Sequence, residues 1–149
     1  MIYLVALLTL LIDQVTKYLI LKEIDLNQVV SVCPFFNLVS VRNRGVSFSF
    51  LSGDSPLMPW ILSGMALIIC IGLVIWLEKE KCRWTRIGLS LVLGGAIGNV
   101  IDRIRFGAVI DFLDFYIGRY HWPAFNVADS AICLGVFIIL YQTFRKDKK

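Results

Sequence analysis

Four long apolar runs separated by polar connections set the hydropathy pattern of this chain. "IYLVALLTLLIDQVTKYLIL" covers about Ile2 to Leu21, "LMPWILSGMALIICIGLVIWL" about Leu57 to Leu77, a third run about Trp84 to Ile104, and a fourth about Phe125 to Phe144. About 20 residues rising ~1.5 Å each cross a hydrocarbon core of ~30 Å. The pattern therefore predicts four transmembrane helices over 2–21, 57–77, 84–104 and 125–144. Between the first two runs, "NQVVSVCPFFNLVSVRNRGVSFSF" alternates partly with period two, while Pro34, Arg42 and Arg44 interrupt its apolar continuity. This predicts two or three short strands against the membrane surface, because unpaired backbone is not tolerated in lipid. "AVIDFLDFYI", between the third and fourth runs, also reads as a strand. The expected fold class is a polytopic membrane protein: four transmembrane helices roofed by a small extracytoplasmic sheet, with residues 1–149 forming a single domain.

Composition sharpens the picture. Of 149 residues, 58% are hydrophobic and 17% charged, against ~45–50% and ~25% in soluble domains. An ordinary soluble globule is excluded, and a mean hydropathy of +0.75 excludes a disordered chain. The formal charge of +4 is spread between apolar segments and makes no basic stripe, so nucleic acid is not an expected partner. Lys and Arg number four in the 78–86 connection and four in the tail, against three each in 22–56 and 102–124. The positive-inside rule then places both termini in the cytoplasm and the two longer connections outside. The first run has no basic n-region and no A-x-A-like site, so it is expected to stay attached as a span. Cys33, Cys70, Cys82 and Cys133 show no CxxC spacing, and neither a disulfide framework nor a zinc site is expected.

Within the spans, Trp60 and Trp76 fit opposite membrane interfaces, and Gly88, Gly94, Gly95 and Gly98 fit close helix contact. The polar exceptions carry more information. Asp13 and Lys17, four apart, share one helical face and pair at low dielectric, as a structural ion pair or as part of an active site. Asn99, Asp102 and Arg103 follow Gly95 and Gly98, placed to bind one another near the outer surface or to organise an incoming backbone. The bland alternative is ordinary polar termination of a helix.

Asp111 in "VIDF" and Asp129 in "FNVADSAI" are the candidate acid and base. Two adjacent carboxylates titrate apart, leaving one ionised to activate water and one protonated to serve a leaving amide nitrogen. Sequence separation does not bring them together by itself. The structural reading makes Asp129 a helix N-terminal charge and Asp111 a solvated loop charge. Asp114 competes, but strand alternation turns Asp111 and Asp114 to unlike sides. His121 is the sole histidine and reads as a hydrated loop residue, so a histidine-based zinc protease or serine-histidine site has little support. Ser90 lies in an apolar run, and Ser47 and Ser49 fall in a strand candidate. Two non-proteolytic readings stay open: a small polar-substrate transporter with a polar path, or a noncatalytic membrane assembly protein.

"DQVTK" at 13–17, "NRGVSFS" at 43–49, "GGAIGNVIDR" at 94–103, "VIDFLDF" at 109–115 and "FNVADSAI" at 125–132 together resemble the bacterial lipoprotein signal peptidases, or type II signal peptidases. The blocks extend from the first run into the fourth, in order. The resemblance implies a membrane aspartic endopeptidase of the bacterial cytoplasmic membrane. Its substrate would be a diacylglyceryl-modified prolipoprotein, cut immediately before the lipid-bearing cysteine. It implies four transmembrane helices with an extracytoplasmic β-cradle, an active site near the outer surface, and membrane lipids as surroundings. No cofactor, metal or obligate protein partner is implied. Asp111 and Asp129 match the catalytic pair; Asp13, Lys17, Asn43, Gly45, Gly95, Asn99, Asp102, Arg103, Asn126 and Ala128 match positions for substrate binding or structural support. Ser47 stands where the family commonly has Ala.

Overall fold

The computed structural model describes residues 2–45 and 57–146; Ser47, Ser49 and the end of the basic tail lie outside the described residues. Four long helices cover the four apolar runs: α1 (Ile2–Glu23), α2 (Met58–Lys79), α3 (Arg83–Phe106) and α4 (Val127–Lys146). All four are long and apolar enough to cross a membrane. Their outward faces are apolar, as a lipid solvent demands: Leu4, Leu8 and Leu11 of α1, Ile68 and Ile71 of α2, and Phe137 and Tyr141 of α4 are exposed. Trp60 and Trp76, both exposed, lie about 24 Å apart along α2 at the helical rise.

The central helix is α3, which packs on α1, α2 and α4. Its glycines explain how closely. A Cβ on Gly94 would meet the Ala6 carbonyl of α1 at 2.5 Å, and one on Gly95 would meet the Ala128 carbonyl of α4 at 2.5 Å. Gly88 and Gly135 oppose each other, each lacking room for a Cβ against the other's carbonyl oxygen. Gly94 thus lies on the α1 side of α3, and Gly88 and Gly95, two turns apart, on the α4 side. Helix α3 runs past the expected end to Gly107, whose positive φ of 66° and N–H bond to the Arg103 carbonyl close the last turn. Helix α4 starts at Val127, two residues later than hydropathy suggests. Phe125 is instead drawn into strand pairing, its N–H and carbonyl both bonded to Leu113.

Above the helices lies one antiparallel sheet in the order β1 (Val29–Cys33), β2 (Phe36–Asn43), β3 (Val109–Ile117), β4 (Tyr120–His121). The first connection supplies two strands among the described residues, and "VIDFLDFYI" is β3. Strand β4 has only two residues, too few for any hydropathy pattern; it exists because Gly118, at φ 60°, turns the chain back onto Tyr116 and Ile117. Phe112 packs with Ile20 and Ile24, seating the sheet on the end of α1. The pairing sets Val41 opposite Asp111 and Asn37 opposite Asp114, with an irregularity between Leu38 and Val41. Two strand residues three apart face opposite ways, so the two carboxylates serve different surroundings.

Candidate active site

Asp129 is placed by the start of α4. Asn126 precedes the first helical residue, and its Oδ1 accepts the Asp129 N–H at 2.8 Å, while Asp129 Oδ2 accepts the Asn126 N–H at 3.3 Å. This reciprocal cap is the Asn/Asp version of a capping box. Asp129 thus satisfies a helix end and still presents Oδ1, which accepts from Asn99 Nδ2 at 2.8 Å.

Asp111 is brought to the same place by β3. Its side chain is buried, with Oδ2 accepting from Asn43 Nδ2 at 2.9 Å and Oδ1 from Asn126 Nδ2 at 2.8 Å. Asn43 is itself aimed by the turn that follows it, its Oδ1 accepting the Gly45 N–H at 2.9 Å. Gly45 has φ +89°, and a Cβ there would strike Leu62. Asn126 Nδ2 also lies 3.3 Å from Asn99 Oδ1. The aspartates, 18 positions apart in sequence, are thus joined through Asn126 and Asn99. Burial pushes the Asp111 carboxyl up to about 6; the Asp129 charge adds to this, while Asn43, Asn126 and Lys17 oppose it.

Beneath the pair is a second, fully buried group. Lys17 Nζ lies 2.8 Å from Asp13 Oδ2, 2.7 Å from Asp102 Oδ2 and 3.0 Å from Asn99 Oδ1. The expected Asp13–Lys17 pair is present, but Asp102 joins it. Asp102 is not bound to Asn99 or Arg103, because its side chain turns toward α1. Its Oδ2 also accepts the Ile110 N–H at 3.2 Å, so it does organise an incoming backbone. Arg103 contacts Asn99 through the Asn99 carbonyl at 3.4 Å, and its charge interacts with Asp129, Asp102 and Asp111. Ala128 is fully buried, its N–H bonded to Asp13 Oδ1 at 2.9 Å and its carbonyl packed against Gly95. Gln14, for which the sequence pattern offers no signal, reaches this cluster from α1.

Asp114 stands apart. It accepts from Asn37 Nδ2 at 2.8 Å and meets His121 Nδ1 at 2.9 Å, and His121 stacks on Tyr116. Burial raises the Asp114 carboxyl, but the bonds from Asn37 and His121 outweigh it and hold the group below the usual range. Among the described residues, no group of three or more His, Cys, Asp or Glu side chains is arranged to hold a metal ion.

The polar cluster stops within the helix bundle. An apolar cluster of Ala6, Cys70 and Leu93, with Val74, Ala96 and Ile97 against it, occupies the helices on the side away from the sheet. Two of the buried hydroxyls in the bundle, Thr9 and Ser90, bond to carbonyls of their own helices.

Four membrane-length helices, with Asp129 of α4 and Asp111 of β3 bridged by amides at the sheet end, define a polytopic membrane protein. The model of the family described as signal peptidase (SPase) II matches residues 5–145. A lipoprotein signal peptidase of Aeromonas hydrophila subsp. hydrophila is 45% identical over 147 residues, covering 97% of this chain and 88% of the relative. One from Vibrio parahaemolyticus is 42% identical over 145 residues, covering 95% and 86%. Two solved structures share the fold, both titled as a bacterial membrane enzyme structure by the in meso method. One has a TM-score of 0.83 and 36% identity over 94% of this chain and 90% of that chain; the other has 0.84 and 35% over 97% and 87%. The chain belongs to the signal peptidase II family, and is a multi-pass bacterial membrane protein.

Proposed function

We propose that Asp111 and Asp129 are the catalytic pair of a membrane aspartic endopeptidase, built as a single domain over residues 1–149. It removes signal peptides from diacylglyceryl-modified prolipoproteins by cutting immediately before the lipid-bearing cysteine. The observation that carries this reading is the Asn126 bridge, which bonds to Asp111 through its amide nitrogen and to the Asp129 backbone through its oxygen.

The two environments divide the work. Asp129 lies in the first turn of α4 and accepts two N–H bonds, from Asn99 and from the Asn126 backbone. It takes a proton from the water whose oxygen attacks the scissile carbonyl. Asp111, pushed up to about 6 by burial, keeps its proton to a higher pH than an ordinary carboxyl. It delivers that proton to the peptide nitrogen as the C–N bond breaks. The signal peptide leaves with a new carboxyl group and the lipid-bearing cysteine with a free amine. Proton exchange from Asp129 to Asp111 resets the pair.

Asn43 and Arg103 flank the carboxylates on the substrate side, with Gly45 aiming Asn43. Asn99 and Asn126 bridge the pair, Gly95 and Ala128 set the approach of α3 to α4, and Asp13, Lys17 and Asp102 brace it from beneath. The site faces the extracytoplasmic surface, with both termini cytoplasmic, and the substrate's acyl chains stay among membrane lipids. No obligate protein partner is needed. The packing of Ala6, Cys70 and Leu93 into an apolar cluster among the helices supports this reading over a transporter.

The test is cleavage of a diacylglyceryl-modified prolipopeptide against the identical unlipidated peptide in matched detergent, with mass determination of both products. Acyl burial contributes roughly 0.8 kcal/mol per methylene before ordering costs. Efficient cleavage before the lipid-bearing cysteine, with much weaker cleavage of the unlipidated peptide, is the expected result. Equal cleavage of both rejects the specificity.

A further inference from the structure

Each aspartate of the pair is preceded by a residue whose backbone N–H is held by a buried carboxylate. Asp13 Oδ1 accepts from Ala128, directly before Asp129, at 2.9 Å. Asp102 Oδ2 accepts from Ile110, directly before Asp111, at 3.2 Å. The two carboxylates are therefore arms reaching to the two halves of the active site, and Lys17 joins them. Its ammonium has three protons and three acceptors, the arms and Asn99, so it has nothing further to give. Two buried carboxylates share one ammonium, with the Arg103 charge also acting on Asp102. Such a cluster holds its geometry only if the remaining oxygens find donors.

Gln14 provides them. Its Nε2 lies 3.1 Å from Asp102 Oδ1, 3.2 Å from Asp13 Oδ2 and 3.3 Å from the Gly98 carbonyl. Among the described contacts, Gln14 is the sole donor to Asp102 Oδ1. Gly98 makes room for this closure, since a Cβ there would stand 2.5 Å from Asp13 Oδ2. We infer that Gln14 is a positioning residue: its carboxamide ties the Asp13 and Asp102 arms together and so fixes how Asp111 and Asp129 face each other. It touches neither aspartate of the pair and acts through Ile110 and Ala128.

Losing the tie frees the start of β3 relative to Asn126 and Asn43. Those two amides are the donors that hold the Asp111 titration down, against the charge of Asp129 on α4 and alongside that of Lys17 on α1; Arg103 of α3 also interacts with Asp111. Slackening them moves that titration upward from about 6.

The inference rests on Asp111 and Asp129 being the catalytic pair. Gln14→Met keeps the length and removes both N–H donors. Purified Q14M, wild type and D111N are compared on the diacylglyceryl-modified prolipopeptide from pH 5 to 8, with folded fraction read by circular dichroism and gel filtration. The expected result is folded Q14M with kcat lower by about a hundredfold, KM within about threefold, and the pH–rate inflection moved upward. Folded Q14M with wild-type kcat and inflection overturns the inference, as does a loss that only tracks the folded fraction. If Q14M does not fold, Gln14→Asn, whose shorter amide cannot reach both arms, is read in the same way. Undiminished cleavage by D111N overturns the catalytic assignment itself, and the two failures are distinct.

Discussion

Asn126 donates a 2.8 Å hydrogen bond to Asp111 while capping the helix that carries Asp129. One side chain thus links a strand to a helix terminus, and its two ends are separable by substitution. Asn126→Asp keeps the capping oxygen and removes the donor to Asp111; Asn126→Ala removes both. N126D keeps the cap but sets a carboxylate oxygen against Asp111 Oδ1, so it is expected to lose cleavage by at least about a hundredfold and to lose stability through like-charge repulsion. N126A should lose cleavage without that repulsion, and ~1 kcal/mol of stability from the cap. Thermal midpoints and single-turnover rates in one detergent separate these effects.

The Asp111 titration gives a pH dependence with a definite sign. Its carboxyl is raised to about 6 by burial, and in the proposed reaction it is the proton donor, so the competent form is the protonated one. The value of kcat/KM should fall as pH rises through about 6. Asn43→Ala removes a bond that holds the titration down and should move this fall to higher pH, even as the maximal rate drops. A pH–rate profile of the two proteins checks both statements.

The glycines make a packing prediction. Gly95→Ala would place a methyl group 2.5 Å from the Ala128 backbone oxygen, next to Asp129, and the backbone has nowhere to yield. Overpacking of this kind costs about 1–3 kcal/mol. Gly72→Ala in α2 meets nothing within 4 Å and should be neutral or stabilising by up to about 1 kcal/mol. Thermal unfolding of both variants measures the contrast.

Asp114 is the internal control. It bonds to Asn37 and His121 on another side of β3 and to neither Asn126 nor Asn99. D114N is expected to cleave within about threefold of wild type, since no proton it holds enters the reaction. Initial rates on the lipidated substrate decide this.

Much of the architecture is legible because lipid imposes a strict rule on long apolar runs, and because the alternation in "VIDFLDFYI" is local. The opposed directions of Asp111 and Asp114 follow from strand geometry and are visible in the chain. Other features depend on distant partners. Asp102 pairs with Lys17 of another helix instead of its own neighbours, which no spacing within α3 reveals. The meeting of Asp111 with Asp129 depends on Phe125 joining β3 and Asn126 capping α4; the N-x-x-D spacing hints at the cap but not at the bridge. Gln14 gives no local signal, since its role exists only where two carboxylates from α1 and α3 converge.

Asp111 and Asp129 are proposed to perform the cleavage together. Asp111→Asn and Asp129→Asn each preserve shape and remove acid–base capacity, so single-turnover cleavage of the diacylglyceryl-modified prolipopeptide by folded, membrane-inserted D111N and D129N is the most direct measurement. Either substitution is expected nearly to abolish product, with losses that do not add in the double variant. Near-normal product from either folded variant would overturn the assignment of the pair.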